Sequence, residues 1–159
     1  MPTNFLRNRS RKPATAAHAA ASRGATSPRA ERLAVIRSGK VRIRVRLLDT
    51  PTADRIWRAL PIFSTVQLWG QGEVFFETPV ESGRERGAKV LVQAGEIAFS
   101  PDRDVIGIAF ARTPTSRSGE LRLWSPSNIW AQALDDVGAF AGLRPGEKIE
   151  VRALSERTA

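Results

Sequence analysis

The most constraining stretch in this chain is Val105 to Ala111 (VIGIAFA), seven residues without a polar side chain. A strand that is apolar at every position belongs in a sheet covered on both faces, and its internal Gly107 suits a bulge or a close backbone approach. Just before it, Ile97 and Phe99 share one side of an alternating segment, with Glu96 and Ala98 on the other. Ser100 to Asp104 (SPDRD) joins the two, with Pro101 fixing φ and Asp side chains able to bond nearby backbone N–H groups. Val92 to Pro114 therefore reads as a β-hairpin whose second arm lies inside a sheet. Nothing in it is overtly catalytic.

Short strands surround this hairpin. Val41, Ile43, Val45 and Leu47 alternate with Arg42, Arg44 and Arg46, a period-2 strand with one aliphatic face and one basic face. The basic face reads as solvated charge. Ser64 to Trp69 and Glu73 to Thr78 flank the tight turn Gly70-Gln71-Gly72. In the second of these, Val74 and Phe76 face one way and Glu73, Phe75 and Glu77 the other. Acids at such positions are expected in solvent, and their i, i+4 spacing on a strand is too long for a retaining glycosidase pair. Lys89 to Val92, Leu121 to Trp124 and Lys148 to Leu154 complete the strands, with Ile149, Val151 and Ala153 inward. The last strand is expected beside the first, with Glu150 against the row Arg42, Arg44 and Arg46.

Two helices interrupt them. Thr50 as N-cap, Pro51 as first helical residue and Asp54 in the first turn predict a short helix burying Ile56, Trp57 and Leu60. Val137, Phe140 and Leu143 recur at helical spacing in the second. Eight short strands with two helices inserted describe a closed antiparallel β-barrel, since closure removes the edges that so many strands would leave.

Charge divides the chain. Residues 1–38 carry eight basic groups against one acid, whereas the remainder carries seventeen against fifteen. This segment is rich in Ala, Arg, Ser, Thr and Pro without apolar periodicity, too little apolar surface to offset the entropy of ordering it. It is expected to be a disordered tail, with the folded domain spanning 39–155. A weak polyanion contact, an organelle transit peptide and a secretory signal are the other readings of the tail. The chain has no Cys, and its only His is His18 in that tail. Disulfides, thiolate metal sites and any His-based triad or metal site in the body are thereby excluded. No cofactor and no metal is expected. The absence of Cys and of long apolar runs suggests a cytoplasmic protein without a membrane partner.

Several segments recur in an order that resembles a known group. They are Trp69-Gly70, Glu73-Val74-Phe75-Phe76, Thr78-Pro79-Val80, Gly95-Glu96-Ile97-Ala98-Phe99 with Pro101, Phe110 with Thr113-Pro114, Ser125 with Asn128, and Gly146-Glu147-Lys148-Ile149 with Val151. Over about residues 40–154 the chain resembles the small prokaryotic cyclophilin-like proteins. The resemblance implies a closed eight-stranded barrel, capped by helices and related to that of the peptidyl-prolyl isomerases. True cyclophilins isomerise X–Pro bonds with an Arg, a Gln and aromatic groove walls. Their Phe-His-Arg motif is missing, its counterpart reading Val74-Phe75-Phe76-Glu77, and Ile108-Ala109-Phe110 stands for their Gln-Phe-Phe.

The expected function is accordingly a barrel that binds a peptide or small ligand in a shallow apolar groove, without a recognisable catalytic set. Phe75, Phe99, Phe110, Trp124 and Trp130 are the candidate walls; Arg112, Ser125 and Asn128 are the candidate polar anchors. The alternatives are an atypical peptidyl-prolyl isomerase, with Arg112 replacing the missing Arg, and a polyanion-binding protein acting through its tail. Neither the ligand nor the oligomeric state is legible in the sequence.

Overall fold

The structure is a computed structural model that describes residues 30–154; the disorder and polyanion contact expected of the basic tail lie outside that range for residues 1–29. Ten strands form the body: β1 (Leu33–Ser38), β2 (Val41–Leu47), β3 (Ile62–Thr65), β4 (Gln67–Trp69), β5 (Glu73–Glu77), β6 (Lys89–Val92), β7 (Glu96–Ser100), β8 (Val105–Ala109), β9 (Leu121–Ala133) and β10 (Lys148–Ala153). One helix, α1 (Pro51–Ala59), and a 3-10 turn at Val137–Gly142 complete it. The sheet order is β3-β10-β1-β2-β9-β7-β8-β5-β4. Its two ends, β3 and β4, are separated in the chain only by the buried Val66, so the sheet curls into a nearly closed antiparallel barrel.

There are ten strands rather than eight, nine along the barrel path with β6 off it, because β1 is added and the segment around Val66 divides in two. Residues 33–38, expected in the tail, instead form β1, with Ala34 and Ile36 fully buried. Leu33-Ala34-Val35-Ile36 is a strong strand former embedded in basic, Ala-rich surroundings, and averaged composition conceals it. Arg32 also belongs to the body. Its guanidinium bonds the Leu48 carbonyl at 3.0 Å, pairs with Asp54 at 3.0 Å and lies over the Trp57 ring.

This strand overturns the pairing expected between β2 and β10. β1 sits between them, with Ile36 opposite both Ile43 and Val151. Glu150 takes its ion pairs from Arg37 at 2.7 Å and Arg152 at 3.0 Å, not from the β2 row. Arg44 instead clasps Asp135 through two side-chain bonds, at 2.8 and 3.1 Å, and its backbone N–H donates to the same carboxylate. The aliphatic face of β2 is inward as expected, with Ile43, Val45 and Leu47 buried.

The helix begins as the sequence indicates. Thr50 accepts from the Ala53 N–H at 3.1 Å, and Pro51 opens the first turn where no intrahelical donor is needed. Ala53 and Ile56 are buried in the barrel's core cluster, with the partly buried Trp57 and Leu60 packed against it. Val137, Phe140 and Leu143 are buried in the same core. The interior is filled by Val74, Phe76, Ile97, Phe99, Ile106, Ile108 and Trp130, among others.

β9 belongs to two layers. Its second half runs in the barrel between β2 and β7; its first half leaves and pairs with β6 as a two-stranded ribbon. The ribbon packs on the outside of the barrel, where Val92 and Leu123 meet Ala98 and Ala109. Thr113 and Ser116 fix its root: the Ser116 hydroxyl accepts from the N–H groups of Thr113 and Arg122, and the Thr113 hydroxyl donates to the Arg122 carbonyl. β8 is therefore covered on both faces, and every residue from Val105 to Ala109 is buried.

Candidate functional site

Strands that bury both faces leave their outer side chains in a thin second layer, and here that layer is not filled. On β5 the outward positions are Glu73, Phe75 and Glu77. Opposite them in register are Ala109, Gly107 and Val105, and beyond these lie Ala98 and Ser100. Small residues dominate the middle of this surface. Between them, the ribbon and β4 is a concavity of about 430 Å³, lined by Trp69, Glu73, Phe75, Ser100, Arg103 and Trp124 among others.

Glu73 lines this concavity. The sequence predicts it in solvent, but it is only 8% exposed, and Leu123 and Trp124 of the ribbon line the same concavity. Its carboxylate reaches over Gly107, so close that a β-carbon there would lie 2.4 Å from Oε2. Gly107 is thus the close backbone approach its position in an apolar strand suggested. Oε1 is buried with no hydrogen-bond partner among the described residues, and burial pushes the carboxyl up to about 7. Among the described residues no neighbouring cation offsets that desolvation. The Ser100 hydroxyl, lining the same concavity, is also buried and unpartnered.

Aromatic rings form the walls. Trp69 and Trp124 lie 6.0 Å apart between centroids, tilted by 59°. The guanidinium of Arg103 lies 4.3 Å from the Trp124 centroid and 5.7 Å from that of Phe75. Arg103 comes from the turn between β7 and β8, whose residues the sequence had marked only as turn formers.

Of the expected site residues, Phe75 and Trp124 meet here. Phe99 and Trp130 are fully buried inside the barrel, on the opposite face of the sheet, and line no groove. Phe110 packs against that same interior. Arg112 is exposed and points its guanidinium at the Ser116 carbonyl at 3.4 Å, outside the concavity. Asn128 is a structural clip. Its amide donates to Thr52 and to the Gly83 carbonyl at 2.9 Å each, and its oxygen accepts from the Glu85 N–H at 2.9 Å, tying the loop before β6 to α1. Ser125 lines no part of the concavity either. The residues missed were Glu73, Ser100, Arg103 and Trp69. One signal was available: Ala98, Gly107 and Ala109 are small residues on a single face, beside an acid.

Among the described residues no helix is long and apolar enough to cross a membrane. Residues 31–152 match the family model described as Cyclophilin-like. The solved structures include a similar one, the solution structure of a hypothetical protein from Archaeoglobus fulgidus. It is 29% identical, with a TM-score of 0.69 over 81% of this chain and 100% of that one. No curated protein matches the chain. With the match running from before β1 into β10, this chain belongs to the cyclophilin-like family.

Proposed function

We propose that this barrel binds a peptide or small ligand by taking an apolar group into the concavity over β5, β7 and β8, with Glu73 as the polar anchor. The observation that carries this reading is the Glu73 carboxyl, buried without a partner in an aromatic-walled recess. Leaving a polar group so costs about 1–3 kcal/mol, a cost that packing alone gives no reason to retain. Apolar walls with a few convergent polar groups and a shifted ionisation are the usual composition of a ligand site.

The test is a titration with small apolar fragments, followed through backbone and indole N–H resonances. Saturable shifts should cluster at Trp69, Phe75, Gly107, Leu123 and Trp124, and Phe75→Ala should weaken them. Shifts that centre elsewhere, such as on the exposed Phe63, would remove the concavity from consideration.

Isomerase activity is the second reading, favoured by Arg103 beside aromatic walls, the components that X–Pro isomerisation uses in true cyclophilins. Arg103 is already stacked on two rings, so turnover of an X–Pro peptide is expected to be far below that of a true cyclophilin. Cyclophilin-like rates lost in Arg103→Ala would reverse this order.

A further inference from the structure

The chemistry of the concavity narrows the group that can meet Glu73. Two side-chain atoms of its lining are buried without a partner among the described residues, Glu73 Oε1 and Ser100 Oγ; an ionised carboxylate only accepts, whereas the hydroxyl both accepts and donates. A carboxylate in such a place stays ionised only beside a positive charge that also hydrogen-bonds it. An ammonium group brings three donors and the positive charge that the buried carboxylate lacks, whereas an amide or alcohol brings a donor without the charge. A quaternary ammonium has no N–H to donate and is disfavoured on the same ground.

The walls favour the same charge. Aromatic faces attract cations through their quadrupoles. This chain uses them so itself, holding the Arg103 guanidinium over Trp124 and Phe75 at the rim. Among the described residues, Arg103 is the only cationic one lining the concavity, and Glu73 the only acidic one.

We propose that the concavity receives a primary ammonium group on a short apolar stem, its N–H donors shared by Glu73 and Ser100 and its stem held by Phe75, Trp69 and Trp124. This rests on the reading of the concavity as a binding site and specifies its ligand class. A lysine side chain and a free alkylamine both carry this group. Arg103 occupies the outer part of the aromatic walls and competes with the entering cation.

The experiment compares two probes of nearly equal shape, n-butylammonium chloride and 1-butanol, titrated into the full chain near pH 8. The readouts are the Trp69 and Trp124 indole N–H and the Gly107 amide resonances, with sodium chloride matched throughout. Butylammonium should give saturable shifts at all three, and 1-butanol should bind about ten-fold or more weakly. Glu73→Gln should erase that preference, while Arg103→Ala should preserve it and tighten butylammonium binding. Equal affinity for the two probes in the unmodified chain overturns the ammonium assignment and leaves the concavity a ligand site. No saturable shift with either probe overturns both. The comparison in the unmodified chain decides the matter even if a variant fails to fold. An N-acetyl-lysine methyl ester titration then separates the sources: binding as tight as butylammonium assigns the site to lysine side chains, and exclusion assigns it to free alkylamines.

Discussion

Ile106 and Gly107 are neighbours on β8 and face opposite layers. On the side of Ile106, the barrel interior is packed with Val74, Phe76, Phe99 and Ile108. On the side of Gly107, the same strands present Ala98, Ala109 and a buried acid under a two-stranded ribbon. The interior spends nearly all its area on close packing of large side chains; its unpartnered polar atom is the Trp130 indole N–H. The outer layer substitutes small residues and leaves a concavity. Two surfaces of one sheet thus divide the work: one holds the barrel together, the other holds a recess at some expense to stability.

The sharpest way to break this comparison is to put charge into the interior. Ile43→Arg should prevent folding, because an unpaired buried charge costs about 3–5 kcal/mol or more against a total of about 5–15. Arg44→Ile, one residue away on the exposed face, should leave the barrel folded. Circular dichroism and heat denaturation distinguish them, and a folded Ile43→Arg would deny that the β2 interior face is tightly packed.

A milder cut uses adjacent rings. Phe76→Ala should destabilise the chain by about 3–5 kcal/mol in urea, as expected of a fully buried aromatic. Phe75→Ala should cost clearly less and should instead weaken ligand binding. Equal losses would erase the distinction between the layers.

Ionisation sharpens it next. Glu73 has its carboxyl raised from 4.5 to about 7 in the fold, so the folded state binds more protons than the unfolded one between those values. Stability therefore falls as pH rises from about 4.5 to about 7, and stays lower above that. Glu73→Gln should remove this decline, leaving the variant more stable than the unmodified chain at pH 8 by on the order of 3 kcal/mol, and nearly equal to it near pH 4.5. Asp135 acts in the opposite sense. Hydrogen bonds from Arg44 hold its carboxyl down at about 2, so its contribution is present above its ordinary 3.8 and is lost as pH falls towards 2. Urea midpoints between pH 2 and pH 9 resolve the two windows; a decline above pH 4.5 that persists in Glu73→Gln would assign it to another group.

The smallest effect on stability is expected at Gly107. A methyl there meets only the flexible end of Glu73, so Gly107→Ala should change stability within about 1 kcal/mol while displacing the carboxylate from the concavity floor. At Gly72 the added carbon would instead meet the backbone carbonyl oxygens of Arg112 and Ala111, at 2.1 and 2.4 Å, and the cost should be larger. If Gly107→Ala unfolded the chain, the outer layer would be as closely packed as the interior.

Much of the barrel was legible because its signals are local. Alternation on β2, the apolar run of β8, the Thr50-Pro51 helix start and the spacing of Val137, Phe140 and Leu143 each depend on a few adjacent residues. Face parity even contained a correction to the candidate site: Ile97 and Phe99 share a face, and a residue beside Ile97 in the core cannot also line an outer groove. β1 escaped because its short apolar run lies between a basic segment and a turn. With it went the neighbour of β10, since which strand fills the place beside another depends on the whole sheet and not on either strand's pattern.

What the chain determined alone is therefore the alternation of inward and outward residues and the need to close a sheet of many short strands. Hydrophobic periodicity specifies a face, and it does so residue by residue. Only the tertiary structure decided what covers that face. Glu73 reads as a solvent acid, and only the fold removes water from its carboxyl, in a concavity that it shares with Leu123 and Trp124 of the ribbon, remote in the chain. Desolvation depends on atoms brought near from every direction. It is a property of the fold around a residue, and the residue's own sequence neighbours do not encode it.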